Sequence, residues 1–313
     1  MTEALIRVSS AVLKIYFKFC PIAAGKTFVW DKIVRPFIIW RHLPITATTR
    51  FGAEMQGGFP DIIHTYLYFF GTWEPGITRL LRNHIRSGDT MIDIGANVGT
   101  HTMLAASLVG KSGHVYAIEA SPTIFAKLSV NLHNNHLTQV EAFNVAVSDD
   151  HGFLTVYLSP EANLGGTTTI ASEAEKRGAV QEARVEARPL GDILSRQAIA
   201  AARLIKIDVE GAEWPVLLGM RDLIASLHEE CVVLVEITKD SLTPFNVDTA
   251  DILALFGAAG WLPFEIANSY KPDFYIASPR CVLTTEIDFD APVLDLGFAR
   301  PATLRNLLAA DRS

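Results

Sequence analysis

The chain predicts an α/β fold, a mostly parallel sheet with helices on both faces. Three observations carry that expectation. From residue 89 onward, short apolar strand-like runs alternate with helical patterns. The stretch Met91-Ile-Asp-Ile-Gly-Ala-Asn-Val-Gly-Thr100 is a strand, a tight glycine turn and a helix start in immediate succession. Acidic residues also close several of the strands, at the edge where open parallel sheets bind ligands.

Taken in order, residues 59–87 are expected to be helical in two pieces divided by Gly71. Ile62, Ile63, Tyr66, Phe69 and Phe70, then Ile77, Leu80 and Leu81, keep helix spacing. Strand 90–95 leads to helix 99–109, strand 114–118 to helix 122–135, and strand 140–146 follows. Segments 152–158 and 183–187 read as a β-ribbon around a Gly/Thr-rich loop, 163–172. Helix 189–200, strand 203–208, helix 213–226, strand 231–237, helix 248–259 and strand 262–267 continue the alternation, with a last strand at 281–285. The expected organisation is a partly helical extension over 1–58, a main domain over 59–288 and a tail over 289–313, as a short helix or loosely ordered.

Composition limits the function classes. Of 313 residues, 49% are hydrophobic and 19% charged, which excludes a largely disordered chain. A net charge of -7 argues against broad nucleic-acid binding. Cys20, Cys231 and Cys281 are few and far apart, so neither a disulfide framework nor a zinc cluster is expected. The expected compartment is reducing and cytoplasmic. The apolar N-terminal stretch is interrupted by Arg7, Lys14, Lys18 and Lys26, leaving runs too short for a signal core or a membrane span. On a helical projection Leu5, Val8, Val12, Tyr16 and Phe19 share one face, and Arg7, Lys14 and Lys18 fall opposite. Such a helix either packs on its own domain or lies peripherally on the inner face of a membrane through residues 5–19.

Three strand ends are the candidate site. At the first, Asp93, Gly95, Asn97 and Gly99 form a Gly-x-x-x-Gly turn with an acid two residues ahead. A dinucleotide site presses a pyrophosphate on bare helix N–H groups and gains nothing from a carboxylate there. A ligand with a positive charge does, which favours S-adenosylmethionine over NAD. At the second, Glu119 ends strand 114–118, placed to accept from both ribose hydroxyls. At the third, Asp208, Glu210 and Glu213 follow the apolar run Leu204-Ile-Lys-Ile207. Glu213 suits a helix N-terminus. Asp208 ends a central strand, facing the reacting centre or the amino-acid end of the cofactor.

Five segments together resemble the FkbM family of methyltransferases: Gly71-Thr-Trp-Glu-Pro75, Ile92-Asp-Ile-Gly-Ala-Asn-Val-Gly99, Glu119-Ala-Ser-Pro122, Asn144-Val-Ala-Val-Ser-Asp149 and Ile205-Lys-Ile-Asp-Val-Glu-Gly-Ala-Glu213. The resemblance covers roughly residues 60–240. It implies a Rossmann-like class I methyltransferase fold with a seven-stranded, mostly parallel sheet, and S-adenosyl-L-methionine as cofactor. It also implies cofactor contacts from Asp93, Gly95, Asn97, Gly99 and Glu119, with Asp208 at the same edge. Asn144 or its neighbours would lie near the adenine, and Glu74 would fold over the site. The implied acceptor is a hydroxyl of a sugar, glycan, glycolipid or small natural product. One departure is local: Pro189-Leu-Gly-Asp192 carries a glycine between the Leu and Asp that the family often has adjacent.

An aliphatic hydroxyl needs a base to take its proton as it attacks. Asp208, Glu210 and Glu236 are the candidates, with His101 a lesser one. A metal-assisted variant would draw on Asp208 and Glu236, but no compact ligand set is legible, so no metal is expected. His133-x-x-His136 reads as a solvated helix face. Two alternatives stand beside the methyltransferase reading. One is an NAD(P)-dependent oxidoreductase, which lacks an obvious Tyr-x-x-x-Lys set. The other is a non-catalytic peripheral membrane protein that keeps a cofactor pocket.

Overall fold

A computed structural model describes residues 3–277 and 282–312. Its main sheet has eight strands: β3 (Thr90–Ile94), β4 (His114–Ile118), β5 (Val140–Phe143), β9 (Ala202–Ile207), β10 (Val232–Thr238), β11 (Leu262–Ile266), β12 (Leu283–Thr284) and β13 (Val293–Ala299). They lie in the order β12-β11-β13-β10-β9-β3-β4-β5. The run from β10 to β5 is parallel, and β13 inserts antiparallel between β10 and β11. All six residues of β9 are buried, as expected of a central parallel strand covered on both faces.

The differences from the sequence expectation lie mainly at the C-terminal edge. Of the two expectations for the C-terminal residues, the short helix is present and loose order is not. These residues supply β13 and a helix over Pro301–Asp311. Leu296, Phe298 and Ala299 are fully buried, and Phe298 stacks on Phe256 at 3.9 Å. Alternation along Val293–Ala299 is a weak signal, and the strand pairs with partners far away in sequence. The expected strand at 281–285 shrinks to the two residues of β12, and Cys281 lies outside the described residues.

A second sheet holds β6 (Ala146–Val147), β7 (Gly152–Leu158) and β8 (Val180–Arg188), in the order β6-β8-β7. The ribbon expected over 152–187 is therefore present. Its connection is structured by a helix over Ala171–Arg177. The single strand expected at 140–146 breaks after Phe143 and passes from one sheet to the other. The helix expected over 189–200 divides into Leu190–Ile193 and Arg196–Ala200, and that over 213–226 into Glu213–Gly219 and Arg221–Ile224.

N-terminal to the main sheet, β1 (Pro44–Thr48) and β2 (Glu54–Gly58) form a hairpin. Helix Glu3–Phe19 inserts Phe17 among Trp30, Phe69 and Phe70, with ring centroids 5.4–5.8 Å apart. Eight of the nine residues of helix Ile62–Phe70 are buried, so this helix anchors the N-terminal residues to the main domain.

Candidate active site

Strand order reverses between β3 and β9, and an open cleft lies beyond their C-terminal ends, where parallel sheets of this kind bind ligands. The space in and in front of the cleft, open solvent included, is about 980 Å³.

The glycine turn forms one wall. Asp93 is buried; its Oδ2 accepts from the Thr102 hydroxyl at 2.6 Å, and its Oδ1 has no partner among the described residues. Burial raises its pKa above the ordinary carboxyl value. Gly95 has φ +84°, and a Cβ there would stand 1.7 Å from the Asp208 carbonyl oxygen. Only glycine lets the turn after β3 press against the end of β9, where the Asp208 N–H donates to Ile94 at 3.0 Å. Gly99, at φ +94°, faces Leu128 and does not line the cleft. Its bare Cα serves packing between helices Thr100–Val109 and Pro122–Asn134.

Glu119 closes the turn. Its two carboxyl oxygens accept from the backbone N–H groups of Asn97 at 2.9 Å and Ser121 at 2.8 Å. Burial pushes its pKa up to about 7, against those two hydrogen bonds. Asn144 donates its side-chain amide to the carbonyls of Glu119 and Ala120 at 2.8 and 3.0 Å, tying the ends of β4 and β5 together. It does not line the cleft; its neighbours Val145, Ala146 and Val147 do.

Ionisable groups fill the deeper wall. Lys206 is 4% exposed, inside β9, and donates to Asp208 Oδ2 at 2.6 Å. Burial works against its ammonium, yet Asp208, Glu74 and Asp93 hold its pKa above the usual lysine value. Glu74 has φ +44°, set by the chain reversal ahead of helix Pro75–His84. That conformation buries its carboxyl, which accepts from the Tyr270 hydroxyl at 2.8 Å and pairs with His101 Nε2 at 2.9 Å. Burial raises the Glu74 pKa to about 8. Burial, then the Lys206 cation, lowers the His101 pKa well below the usual imidazole value, so His101 is neutral. Its Nδ1 has no partner among the described residues.

Glu236, two residues before the end of β10, lies 3.4 Å from the Tyr270 hydroxyl. Burial and the nearby Asp208, Asp295, Glu74 and Glu210 hold its pKa well above the carboxylate range. Carboxyl oxygens of Glu74, Asp208 and Glu236 all lie within 4.8 Å of one another. The sequence reading found no such compact set, because Glu74 is remote in sequence and arrives through the loop between two helices. Three oxygens are few for a hard divalent ion, and the Lys206 ammonium already supplies the local counter-charge.

Glu210 borders that trio and lines the cleft, and Glu213 lies behind it. Glu210 is held by Arg177 at 2.5 Å, and burial raises its pKa to about 8. Glu213 turns back to accept from the backbone N–H groups of Val209 and Gly211, closing the loop after β9. His133 and His136 are exposed, but only His133 lies on the helix; His136 follows it in a turn at φ +53°.

Lys206 and Tyr270 join the site without having been among the residues expected from sequence. Lys206 did carry a signal, a lone charge inside an otherwise apolar run. Tyr270 carried none. It reaches the site from the loop after β11, with its ring stacked on Trp73 at 5.2 Å.

The strand order and this acid-bearing turn define a Rossmann-like class I methyltransferase fold. The family described as Methyltransferase FkbM domain matches residues 93–262, more than half of the chain, and the chain belongs to that family. Among its relatives is the 31-O-demethyl-FK506 methyltransferase FkbM of Streptomyces tacrolimicus, 31% identical over 44% of this chain. The match spans 62% of that relative's length. The hexuronic acid methyltransferase AglP of Haloferax volcanii is 26% identical over 66% of this chain and 77% of its own. The solved S-adenosylmethionine-dependent O-methyltransferase of Thermotoga maritima overlays with a TM-score of 0.41 at 13% identity, covering 82% of this chain and 77% of that one.

Proposed function

We propose that this protein is an S-adenosylmethionine-dependent O-methyltransferase acting on a hydroxyl of a sugar, glycan, glycolipid or small natural product. The observation that carries the reading is the cleft itself. It joins a nucleoside-sized apolar wall to an acid-lined floor at the edge where β3 and β9 end. The residues fit a cationic adenosyl compound. Ile118, Ile124 and Val145 offer an apolar slot for a base. Glu119 keeps lone pairs for ribose hydroxyls, and the orphaned Asp93 Oδ1 awaits a donor. Bound there, S-adenosylmethionine supplies an electrophilic methyl group on a positively charged sulfur.

Glu236 is the proposed base. Burial and the surrounding acids raise the Glu236 pKa, so its carboxylate form takes a proton from an attacking hydroxyl more readily than an ordinary carboxylate does. Asp208 is held in place by the hydrogen bond from Lys206, suited to orienting the acceptor or facing the cofactor's charge. Trp73 and Tyr270 form an aromatic wall beside Glu236 for the acceptor. The names of the relatives support a hydroxylated acceptor without specifying it.

Calorimetry with S-adenosylhomocysteine and NADH, followed by a methyl-transfer screen over hydroxylated acceptors, tests the reading. Binding of the former alone is expected. Glu236→Gln is expected to lower kcat about 10²–10⁴-fold with the homocysteine compound bound as before. Binding of NADH, or an unchanged kcat in the Gln variant, would overturn the respective part.

A further inference from the structure

We propose that the exposed face of residues 3–41 seats the protein on an anionic lipid bilayer. Ten of the seventeen large apolar side chains that stand exposed among the described residues lie between Leu5 and Trp40. They are too concentrated there to be the scatter of a soluble surface.

The helix Glu3–Phe19 shows the arrangement. Ile6, Ser10, Leu13 and Phe17 face the protein. Val8, Val12, Ile15 and Phe19 recur at spacings of three and four residues on the other side and are 61–74% exposed. The helix thus docks by its less apolar side and leaves the more apolar one outward. Tyr16, grouped with the outer face from sequence, instead packs edge-on against Phe17. Beyond the turn, Phe28, Phe37 and Trp40 are 50–65% exposed.

Charge identifies the occupant. The exposed charges of residues 3–41 are four basic and two acidic, Glu3 and Asp31, in a chain whose net charge is -7. Arg7, Lys32, Arg35 and Arg41 are exposed beside the apolar side chains. Apolar and aromatic side chains flanked by Lys and Arg suit the boundary between lipid headgroups and acyl chains. No helix among the described residues is long and apolar enough to cross a membrane, so the contact is interfacial. Trp30, Arg35 and Trp40 also line a groove that reaches Tyr270 at the mouth of the reaction cleft. The bilayer side and the cleft therefore adjoin.

Flotation of the full chain with vesicles tests this without reference to catalysis. Binding is expected to phosphatidylcholine vesicles containing phosphatidylglycerol, to fall as salt rises, and to be weak with phosphatidylcholine alone. The double variant Val12→Glu/Phe19→Glu is expected to lose roughly tenfold or more in partition. Phe153→Glu, at an exposed aromatic on the second sheet, is expected to float like the parent. Circular dichroism shows that each variant is folded, since all three positions are exposed. The proposal is overturned by failure of the parent to float with anionic vesicles. It is equally overturned by undiminished flotation of the folded double variant, or by light scattering that shows a second copy covering this face.

Discussion

Lys206→Met removes the cation on which the buried acids of the cleft depend. The ammonium is 4% exposed and 2.6 Å from Asp208, and Glu74 and Asp93 add to its stabilisation. Breaking a buried pair by deleting one partner costs about 3–5 kcal/mol, because the other charge is left without compensation. Against a total stability of about 5–15 kcal/mol, the variant should remain folded but be markedly weaker. The deficit should depend on pH. Lys206 lowers the pKa of Glu74, Asp93 and Asp295, so without it these carboxyls hold their protons to higher pH. Its own folded pKa is raised, so its contribution is complete below the ordinary lysine value near 10.4 and is lost only above that. Between pH 5 and 9 the variation comes from the acids. The deficit is therefore expected to be smallest near pH 5, where Glu74 and Asp295 are protonated, and largest near pH 9. Urea unfolding of both proteins at several pH values, followed by tryptophan fluorescence, measures it. A deficit under about 1 kcal/mol, or one that does not change with pH, would refute the counter-ion role.

Three further outcomes follow from the same geometry. Glu74, Glu119, Glu210, Glu213 and Asp295 all have folded pKa values raised to about 7 or 8. The folded state binds more protons than the unfolded chain, so the parent's stability should fall as pH rises from about 4 through 8; denaturant midpoints that increase across this window would contradict the burial argument. Gly95→Ala adds a methyl 1.7 Å from the Asp208 carbonyl at a left-handed φ, and should cost at least about 3 kcal/mol by calorimetric unfolding. Methyl transfer should be insensitive to chelators, since the Lys206 ammonium already pairs with Asp208 and three carboxyl oxygens are few for a hard divalent ion; loss on chelation and recovery with a divalent ion would instead make Glu74, Asp208 and Glu236 metal ligands.

The sequence alone determined the alternation of strands and helices, and with it the parallel sheet. It also determined the turn around Asp93 and Gly95 and the acids near the ends of β4, β9 and β10. These features are local: apolar periodicity, glycine placement and an acid at a strand end are all written within a few consecutive residues. The tertiary structure decided that Val293–Ala299 enters the sheet, since pairing between β10 and β11 depends on chain partners and not on the strand's own pattern. It brought Glu74, Lys206 and Tyr270 to one place from three separate segments. It withdrew Asn144 and Gly99 from the cleft lining, because their bonds and bare Cα serve neighbouring backbone and helix packing. It also chose which side of the first helix turns inward. A helical projection shows that two faces differ, but only the aromatic cluster around Phe17 and Trp30 decides which of them the protein covers.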